Sequence, residues 1–421
     1  MIKLLIIADD FTGAVDTGVQ FSKKEIPVIV TTDRKISFDT VPDEAEVLVI
    51  DIESRHVAPQ EAYERVLQIA RAAFQAGVSY FYKKTDSTLR GNIGAELTAL
   101  LDASEISNQL AFIPAFPKRR RTTLNGIQYV DNIELEKTEF SHDLFEPVRQ
   151  SSVAEIIRHQ SGVSTKSIPS NRYNEAENDY QDKTICIYDV QTDDDIKKLG
   201  LELKSADRLN VLAGCAGFAE TLPELLELRK AVMYWEKNSS NVLIISGSVN
   251  QIAIDQINYA KENGYISITL SPYQKLSSDF LQSEACAEMI KEIATDLLTC
   301  NKVIIESVST RDQILDVEKY AYEYGIPYAS IHQLIIKNIG ELVKRILDMT
   351  VVGNLVVFGG DTLYGIMERL NCDKIFPVLE IAPGIVAAKA QTQTCDLRII
   401  SKAGGFGSKN VVEVINDFVF H

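Results

Sequence analysis

Short apolar runs alternate with helical stretches along this chain, and each run ends in a polar or glycine-bearing loop. Residues 2–8 (IKLLIIA) pass into DDFTGAVDTGVQF, and residues 46–50 (EVLVI) into DIESRH and a helical stretch over about 60–76. Residues 78–83 (VSYFYK) pass into KTDSTLRGN and then IGAELTALL, and residues 109–113 (QLAFI) into PAFPKRRRTT. Runs at 184–188 and 209–213 close this first series. A second series follows the single tryptophan: NVLIISGS, YISITLS, KVIIESVST, NLVVFGGDT and LRIISKAGGFG. Runs this short are strands, and strands interleaved with helices pair into a mostly parallel sheet covered on both faces. The expected fold is α/β in two domains, each a mostly parallel sheet flanked by helices, with a cleft between them. The polar stretch AVMYWEKNSSN sets the boundary, giving domains at 1–230 and 241–421. Residues 140–180 are polar and read as one or two helices plus a long connection.

In an open parallel sheet the carboxyl ends of the strands share one edge, and ligands bind in the crevice there. The chemically loaded residues of the first half all follow such ends. Asp9, Asp10, Ser54, Arg55, Lys84, Asp86, Arg90 and Arg121 are therefore expected to converge. Of the adjacent Asp9 and Asp10, one carboxylate can cap the following helix. The other can accept a substrate hydroxyl, serve as general base or help hold a metal. The loop Lys83-Lys84-Thr85-Asp86-Ser87-Thr88-Leu89-Arg90-Gly91-Asn92 packs cations, hydroxyls and a carboxylate together. An arginine fork matches a carboxylate, whereas Asp and Ser suit sugar hydroxyls. Gly91 and Gly94 would allow close backbone approach at a helix start, where N–H groups favour an anion. A solvated charge run with Asp86 paired to Arg90 or Lys84 is the plainer account of the same residues. Ser54-Arg55-His56 reads equally well as a surface ion pair, and Arg119 and Arg120 as an exposed basic turn.

In the second half, Ser246-Gly247-Ser248, Phe358-Gly359-Gly360-Asp361-Thr362 and Ala403-Gly404-Gly405-Phe406-Gly407 each follow a strand. Glycine is the ordinary tight-turn residue, so each is weak by itself. Three in one domain suit backbone cradling of phosphates or ribose. Neither a GxxxxGK[ST] loop nor a GxGxxG fingerprint is present, so a nucleotide site here is of another type and dehydrogenase readings lose ground. No GxSxG elbow occurs, and the five histidines lie in unremarkable settings, which disfavours a serine hydrolase.

The formal charge of −16 argues against general nucleic-acid binding, although the local cluster Lys118–Arg121 can still meet an anion. No apolar run approaches the roughly 18 to 20 residues that span a bilayer, and the N-terminal run reads as a strand rather than a signal peptide. Six scattered cysteines without metal-type spacing suggest reduced, mostly buried thiols and a cytoplasmic address.

The segments ADDFTGAVDTGVQF, IESR, YKKTDSTLRGN and PAFPKRRRTTLNG resemble, in order and spacing, the N-terminal domain of the four-carbon acid sugar kinases. SGS, FGGDT, PGIVAAKA and KAGGFG resemble that family's C-terminal nucleotide-binding domain, so the resemblance spans nearly the whole chain. It implies ATP-dependent phosphorylation of the terminal (4-) hydroxyl of a tetronate, D-threonate or D-erythronate, with a 3-oxo-tetronate as the alternative. Mg²⁺ would accompany the ATP phosphates, and no protein ligand to a metal is assigned. Carried over by motif, the substrate contacts are Asp9 or Asp10, Arg55, Lys84, Asp86, Ser87 and Arg90, with the base left open between Asp9 and Asp10. The nucleotide contacts are Ser246 or Ser248, Gly359, Gly360, Asp361, Thr362, and Gly404 or Gly405, and Arg121 is a phosphate contact. Val249-Asn250 depart from the family, which often has a further Ser or Thr there. EFSHDLFEPV stands closer to threonate- and erythronate-type members. The expected partners are the acid sugar and ATP, with no nucleic acid or membrane, and a homo-oligomer is left open. A non-catalytic acid-sugar sensor, a nicotinamide-dependent hydroxy-acid dehydrogenase and an ATP-grasp-type ligase are the rival classes.

Overall fold

The computed structural model describes residues 2–420 except 36, 39–40, 43, 144–145, 176–180, 232–234, 236–239, 393–395 and 403. The chain forms two compact units, Met1–Met233 and Tyr234–His421. Most of the 231–241 stretch nominated as the boundary lies outside the described residues, as do Cys395 and Ala403.

The first unit runs β1 (Leu4–Ala8), α1 (Phe11–Ser22), β2 (Val28–Thr31), β3 (Val47–Asp51), α2 (Pro59–Gln75), β4 (Tyr80–Lys84), α3 (Ile93–Ala103), β5 (Gln109–Ile113), β6 (Arg121–Leu124), β7 (Ile127–Val130), β8 (Ile133–Glu134), α4 (Val153–Arg158), β9 (Ser164–Ile168), β10 (Thr184–Tyr188), α5 (Asp193–Ser205), β11 (Val211–Gly214), α6 (Ala216–Ala219) and α7 (Leu222–Leu225). Its main sheet has the order β2-β3-β1-β4-β11-β5-β10-β9, and each of these pairings is parallel. β1 and β3 are buried at every position, as strands covered on both faces must be. α2 buries Ala62, Val66, Ile69, Ala70 and Ala73, a single face at helical spacing. From β1 the chain moves through α1 to β2 and β3 on one side, and β4 then joins the other side of β1. The strand order therefore reverses at β1, the place where an open sheet opens a crevice.

The second unit runs β12 (Val242–Ser246), α8 (Gln251–Glu262), β13 (Ile266–Thr269), α9 (Pro272–Leu276), α10 (Ser278–Gln282), α11 (Glu284–Thr299), β14 (Lys302–Glu306), α12 (Asp312–Glu323), α13 (Tyr328–Met349), β15 (Asn354–Phe358), α14 (Gly360–Arg369), β16 (Lys374–Ala382), β17 (Ile385–Gln391), β18 (Asp396–Lys402) and α15 (Val411–Phe420). Its strands follow the order β13-β14-β12-β15-β18-β17-β16. Pairing is parallel from β13 to β18 and antiparallel through β17 to β16. The reversal falls between β12 and β15, whose ends Ser246 and Phe358 pair in register. One face of this sheet, including Ile244, Val356, Phe358 and Ile400, packs against Ile257, Val411, Val412 and Ile415.

Three departures from the sequence expectation have local causes. Residues 140–180 contain a strand, β9, whose sequence STKSI carries one apolar residue because it lies at the sheet edge. PAFPKRRRTTLNG supplies β6 of the small antiparallel sheet β6-β7-β8 and the turn to β7 at Asn125-Gly126, both with positive φ. β16 and β17 form a hairpin closed by Pro383-Gly384, where two residues leave no room for a crossover helix. Among the described residues no helix is long and apolar enough to cross a membrane.

α13 and α14 touch through glycines. A Cβ on Gly365 would lie 2.1 Å from Ile336 Cγ2 and 2.9 Å from the Ile336 carbonyl, and one on Gly340 would lie 2.4 Å from the Gly365 carbonyl. Alanine normally favours a helix over glycine by about 1 kcal/mol. Here overpacking reverses the sign, and Gly365→Ala should lower stability by about 1–3 kcal/mol. Urea unfolding followed by Trp235 fluorescence, which reports on the packing of Trp235 against Phe418, measures it; an unchanged or higher midpoint would refute the close contact.

Candidate active site

The loops after β1, β3 and β4 meet over the strand-order reversal of the first unit. Ala8 pairs with Asp51 on one side and Lys84 on the other, so the three strands end level. The Asp9 carbonyl accepts from the backbone N–H groups of Ser54 and Arg55 at 3.0 and 3.3 Å, stitching the β1 loop to the β3 loop. Arg55 then returns its side chain across Asp9 and Asp10. Its Nε and Nη2 donate to Asp9 Oδ2 at 2.8 and 2.7 Å, and Nη1 lies 2.9 Å from Asp10 Oδ2. Asp86 Oδ1, from the β4 loop, is 3.9 Å from Arg55 Nη2. Gly91, at φ +85, lets that loop press on the Arg55 backbone; a Cβ there would sit 3.3 Å from both its Cα and its carbonyl oxygen.

Asp10 is the N-cap of α1, its Oδ1 accepting from Gly13 N–H at 3.0 Å. A Cβ on Gly13 would lie 2.4 Å from Asp10 Oδ1 and 2.7 Å from Lys84 Nζ, so glycine leaves the space in which both groups sit. Arg90 is held by Asp86 through Nε at 2.8 Å and Nη2 at 3.2 Å, and by Asp143 through Nη1 at 3.2 Å, with the Phe140 ring 5.7 Å away. Thr88 also donates to Asp86 Oδ2 at 2.5 Å.

Proton affinities within the cluster diverge. Burial would raise the Asp9 pKa, but Arg55, Lys83 and Lys84 outweigh it and hold Asp9 below the usual carboxylate range. Burial, reinforced by neighbouring Asp9, instead lifts Asp10 above its ordinary value in spite of Arg55. Burial opposes the charge on Lys84, yet Asp9 and Asp10 raise its pKa. Asp86 is driven far down against burial by Arg55 and Arg90. Four carboxylates (Asp9, Asp10, Asp86, Asp143) face three cations (Arg55, Lys84, Arg90), leaving room for one proton or one displaced acid.

Beneath this cluster is a buried brace the sequence reading did not weigh. Alternation along β4 turns Lys83 to the face opposite Lys84. Lys83 Nζ lies 3.0 Å from Glu96 Oε2 and donates to the Lys84 carbonyl at 2.7 Å, and both side chains of the pair are essentially inaccessible. Glu96 also accepts a hydrogen bond from the Ser54 hydroxyl, and Asn92 Nδ2 donates to the Ser54 and Val57 carbonyls at 2.8 and 2.9 Å. The available signal was a lone acid in the first turn of the apolar helix IGAELTALL.

Other expectations resolve differently. Ser54 serves the brace. His56 lies 3.2 Å from Glu146. Arg121 donates to the Arg119 carbonyl at 2.5 Å, and among the described residues no hydrogen bond or ion pair joins it to the Asp9–Arg90 cluster. Arg120 lies 2.9 Å from Asp131, and Lys118 pairs with Glu220. The α3 N-terminus holds a side chain where an anion was expected: Gly94 and Ala95 N–H donate to Gln160 Oε1 at 2.9 and 3.4 Å. Gly94 makes room for the Ile157 carbonyl, which a Cβ would approach to 2.3 Å. Ser87 is half-buried, and its carbonyl accepts from Gln128 Nε2 at 3.1 Å.

In the second unit the glycine turns gather at the β12/β15 reversal. A Cβ on Gly247 would lie 1.9 Å from Thr362 Oγ1, and one on Gly404 would lie 3.5 Å from Ser248 Oγ. Gly405 approaches Asn250, whose Oδ1 caps α8 by accepting from Ile252 N–H at 2.9 Å. Gly359 adopts φ +114 as the α14 N-cap and makes no side-chain cap hydrogen bond, and a helix start without a capping side chain favours an anion. Ser246 is buried at the strand end, and exposed Asp361 lies 3.2 Å from His332 Nε2. Backbone amides, Ser248, Thr362 and absent side chains are a fitting cradle for a nucleotide's phosphates.

Removing one partner of a buried ion pair strands the other, whereas replacing both by apolar groups need not destabilise. Lys83→Met and Glu96→Leu should each cost about 3–5 kcal/mol in urea unfolding, and the double variant less than the sum. Additive losses would show that the two side chains do not act as a pair.

A family model described as the sugar-binding N-terminal domain matches residues 4–222, more than half of the 421-residue chain, and one described as the nucleotide-binding C-terminal domain matches residues 243–412. The chain is 29% identical to a D-threonate kinase of Salmonella typhimurium, across 97% of this chain and 96% of that protein. It is also 29% identical to a D-erythronate kinase of Heliobacterium modesticaldum, across 100% and 97%. The crystal structure of a Salmonella typhimurium LT2 protein superposes with a TM-score of 0.82 at 20% identity over 99% of each chain, a likeness of fold. With both domain models matched in order and the expected α/β architecture in each unit, the chain belongs to the four-carbon acid sugar kinase family and is a kinase.

Proposed function

We propose that this protein is a cytoplasmic kinase that uses ATP to phosphorylate the terminal (4-) hydroxyl of a four-carbon acid sugar, D-threonate or D-erythronate. The supporting observation is the cluster of Arg55, Lys84 and Arg90 with Asp9, Asp10 and Asp86, built inside the segment matched by the sugar-binding domain. The names of the full-length relatives point to the same substrates. The glycine turns of the segment matched by the nucleotide-binding domain receive ATP through Ser248, Gly359, Gly360, Thr362, Gly404 and Gly405, with Ser246 and Asp361 at their margins. ATP, accompanied by Mg²⁺, supplies the phosphoryl group; among the described residues no cluster of acids and histidines forms a separate metal site.

The roles follow from how committed each side chain is. Arg55 is engaged by Asp9 and Asp10, so it fixes those carboxylates more than it grips a ligand. Lys84 and Arg90 meet the substrate carboxylate, and Arg90 exchanges Asp143 for it, which keeps the local charge balanced. Asp86 and Ser87 receive the hydroxyls. Asp10 is the general base, because its raised proton affinity and partial exposure suit it to take a hydroxyl proton, whereas Asp9 is buried and depressed. The buried cysteines Cys215 and Cys286, both free thiols, fit a reducing cytoplasm.

A coupled ADP-release screen over threonate and erythronate stereoisomers and 3-oxo-tetronates tests the reading. Tetronate binding without ADP release would make the protein a sensor. Arg90→Ala should raise KM for the acid sugar by about tenfold or more with KM for ATP nearly unchanged; parallel rises would defeat the division of labour. Asp10→Asn should lower kcat by about 10²–10⁴-fold. In the wild type, kcat/KM should climb with pH as Asp10 loses its proton, with the midpoint above the ordinary aspartate pKa because the free-enzyme value is raised. Retention of that limb in Asp10→Asn, in whatever activity remains, would assign it to another group.

A further inference from the structure

Four lysines among the described residues are buried: Lys83, Lys84, Lys275 and Lys402. Lys83 faces Glu96, Lys84 sits between Asp9 and Asp10, and Lys275 feels Asp316 while donating to the Ser307 carbonyl at 2.7 Å. Lys402 differs. Among the described residues no carboxylate acts on it, and burial alone pulls its pKa down to about 8. It closes β18 with 1% of its surface exposed. Its Nζ donates to the Gly404 carbonyl at 2.7 Å and lies 4.9 Å from the centre of the Phe358 ring. Its own carbonyl accepts from Gly359 N–H at 3.1 Å. One residue therefore joins the two glycine turns, by backbone to Gly359 and by side chain to Gly404, and Gly404 in turn packs towards Ser248.

A carbonyl and an aromatic face offset only part of the cost of burying an ammonium group. The missing counter-charge is anionic, and the neighbouring turns are shaped for phosphate. We propose that Lys402 is a positioning residue of the nucleotide site: it pins the Gly404 turn and sets an uncompensated positive charge behind it, so that nucleotides are selected by their number of phosphates. This rests on the assignment of ATP to the second unit.

Calorimetric binding of ATP, ADP and adenosine to the full-length wild type and to Lys402→Met tests it. The methionine variant keeps the length of the side chain without charge or donor. It should weaken ATP by about tenfold or more, ADP by less, and adenosine by no more than about twofold, since a charge effect scales with ligand charge. An equal loss for all three ligands, or none, would overturn the proposal and leave Lys402 as a turn anchor only. Lys402→Gln keeps a donor for Gly404 and should show the same graded loss if Met is poorly tolerated; near-wild-type ATP affinity in it would overturn the charge role. If the wild type binds neither ATP nor ADP, the nucleotide assignment falls first and takes this inference with it, an outcome distinct from an ungraded loss.

Discussion

The guanidinium of Arg55 is the point on which the first unit's site depends. It comes from the loop after β3 and is shared by carboxylates from the loops after β1 and β4, with its side chain 11% exposed. A charge buried this far is stabilised only where its partners are fixed and hydrogen-bonded. Here the fixing is mutual. Asp10 is tied to the first turn of α1, Asp9 takes two backbone N–H groups on its carbonyl, and Gly91 presses the β4 loop onto the Arg55 backbone. Three loops that could each fluctuate alone are thus held in one geometry. The brace of Lys83, Glu96 and Ser54 supports that geometry from the opposite face of β4.

The two units place their candidate site residues at equivalent positions and fill them with opposite chemistry. Each has its strand-order reversal beside the first strand of the unit, β1 or β12, and each presents its loops there. The first unit crowds that edge with charged side chains that hydrogen-bond one another. The second removes side chains at Gly247, Gly359 and Gly404 and leaves the backbone to act. A small hydroxylated acid is distinguished from its isomers only by groups held at fixed points in space. Phosphates carry their charge on every oxygen and are met by N–H groups and a positive field.

What the sequence disclosed follows the same physics. The α/β class was legible because central parallel strands such as LLIIA and VLVID are apolar throughout, and their ends mark the ligand edge. That rule brought Asp9, Asp10, Arg55, Lys84, Asp86 and Arg90 together on the page as the structure does in space. Arg121 makes no hydrogen bond or ion pair with them among the described residues, since QLAFI is followed by a hairpin that places the arginine on β6. Asn125-Gly126, both with positive φ, is the local sequence signal of that hairpin. The edge strand β9 carried no apolar pattern to read. Asp143 was illegible for a different reason: a carboxylate's partner across the fold leaves no mark at its own position.

The divergence between Asp9 and Asp10 follows from sharing one cation. Adjacent carboxylates on a single guanidinium repel each other, and the repulsion is relieved most cheaply by raising the proton affinity of the one with less compensation. Asp9 has Arg55 on two nitrogens together with Lys83 and Lys84, and its depressed pKa makes it a source of stability above the ordinary carboxylate pKa that is lost in acid. Asp10 has one guanidinium nitrogen and a backbone N–H, and its raised pKa reverses the sign: ionising it costs stability as pH rises from the unfolded-state value through the folded one. A group whose ionised form is held at a cost is a group ready to take a proton. The proposed assignment of Asp10 as the base rests on this asymmetry, in which its neighbour takes the better share of Arg55.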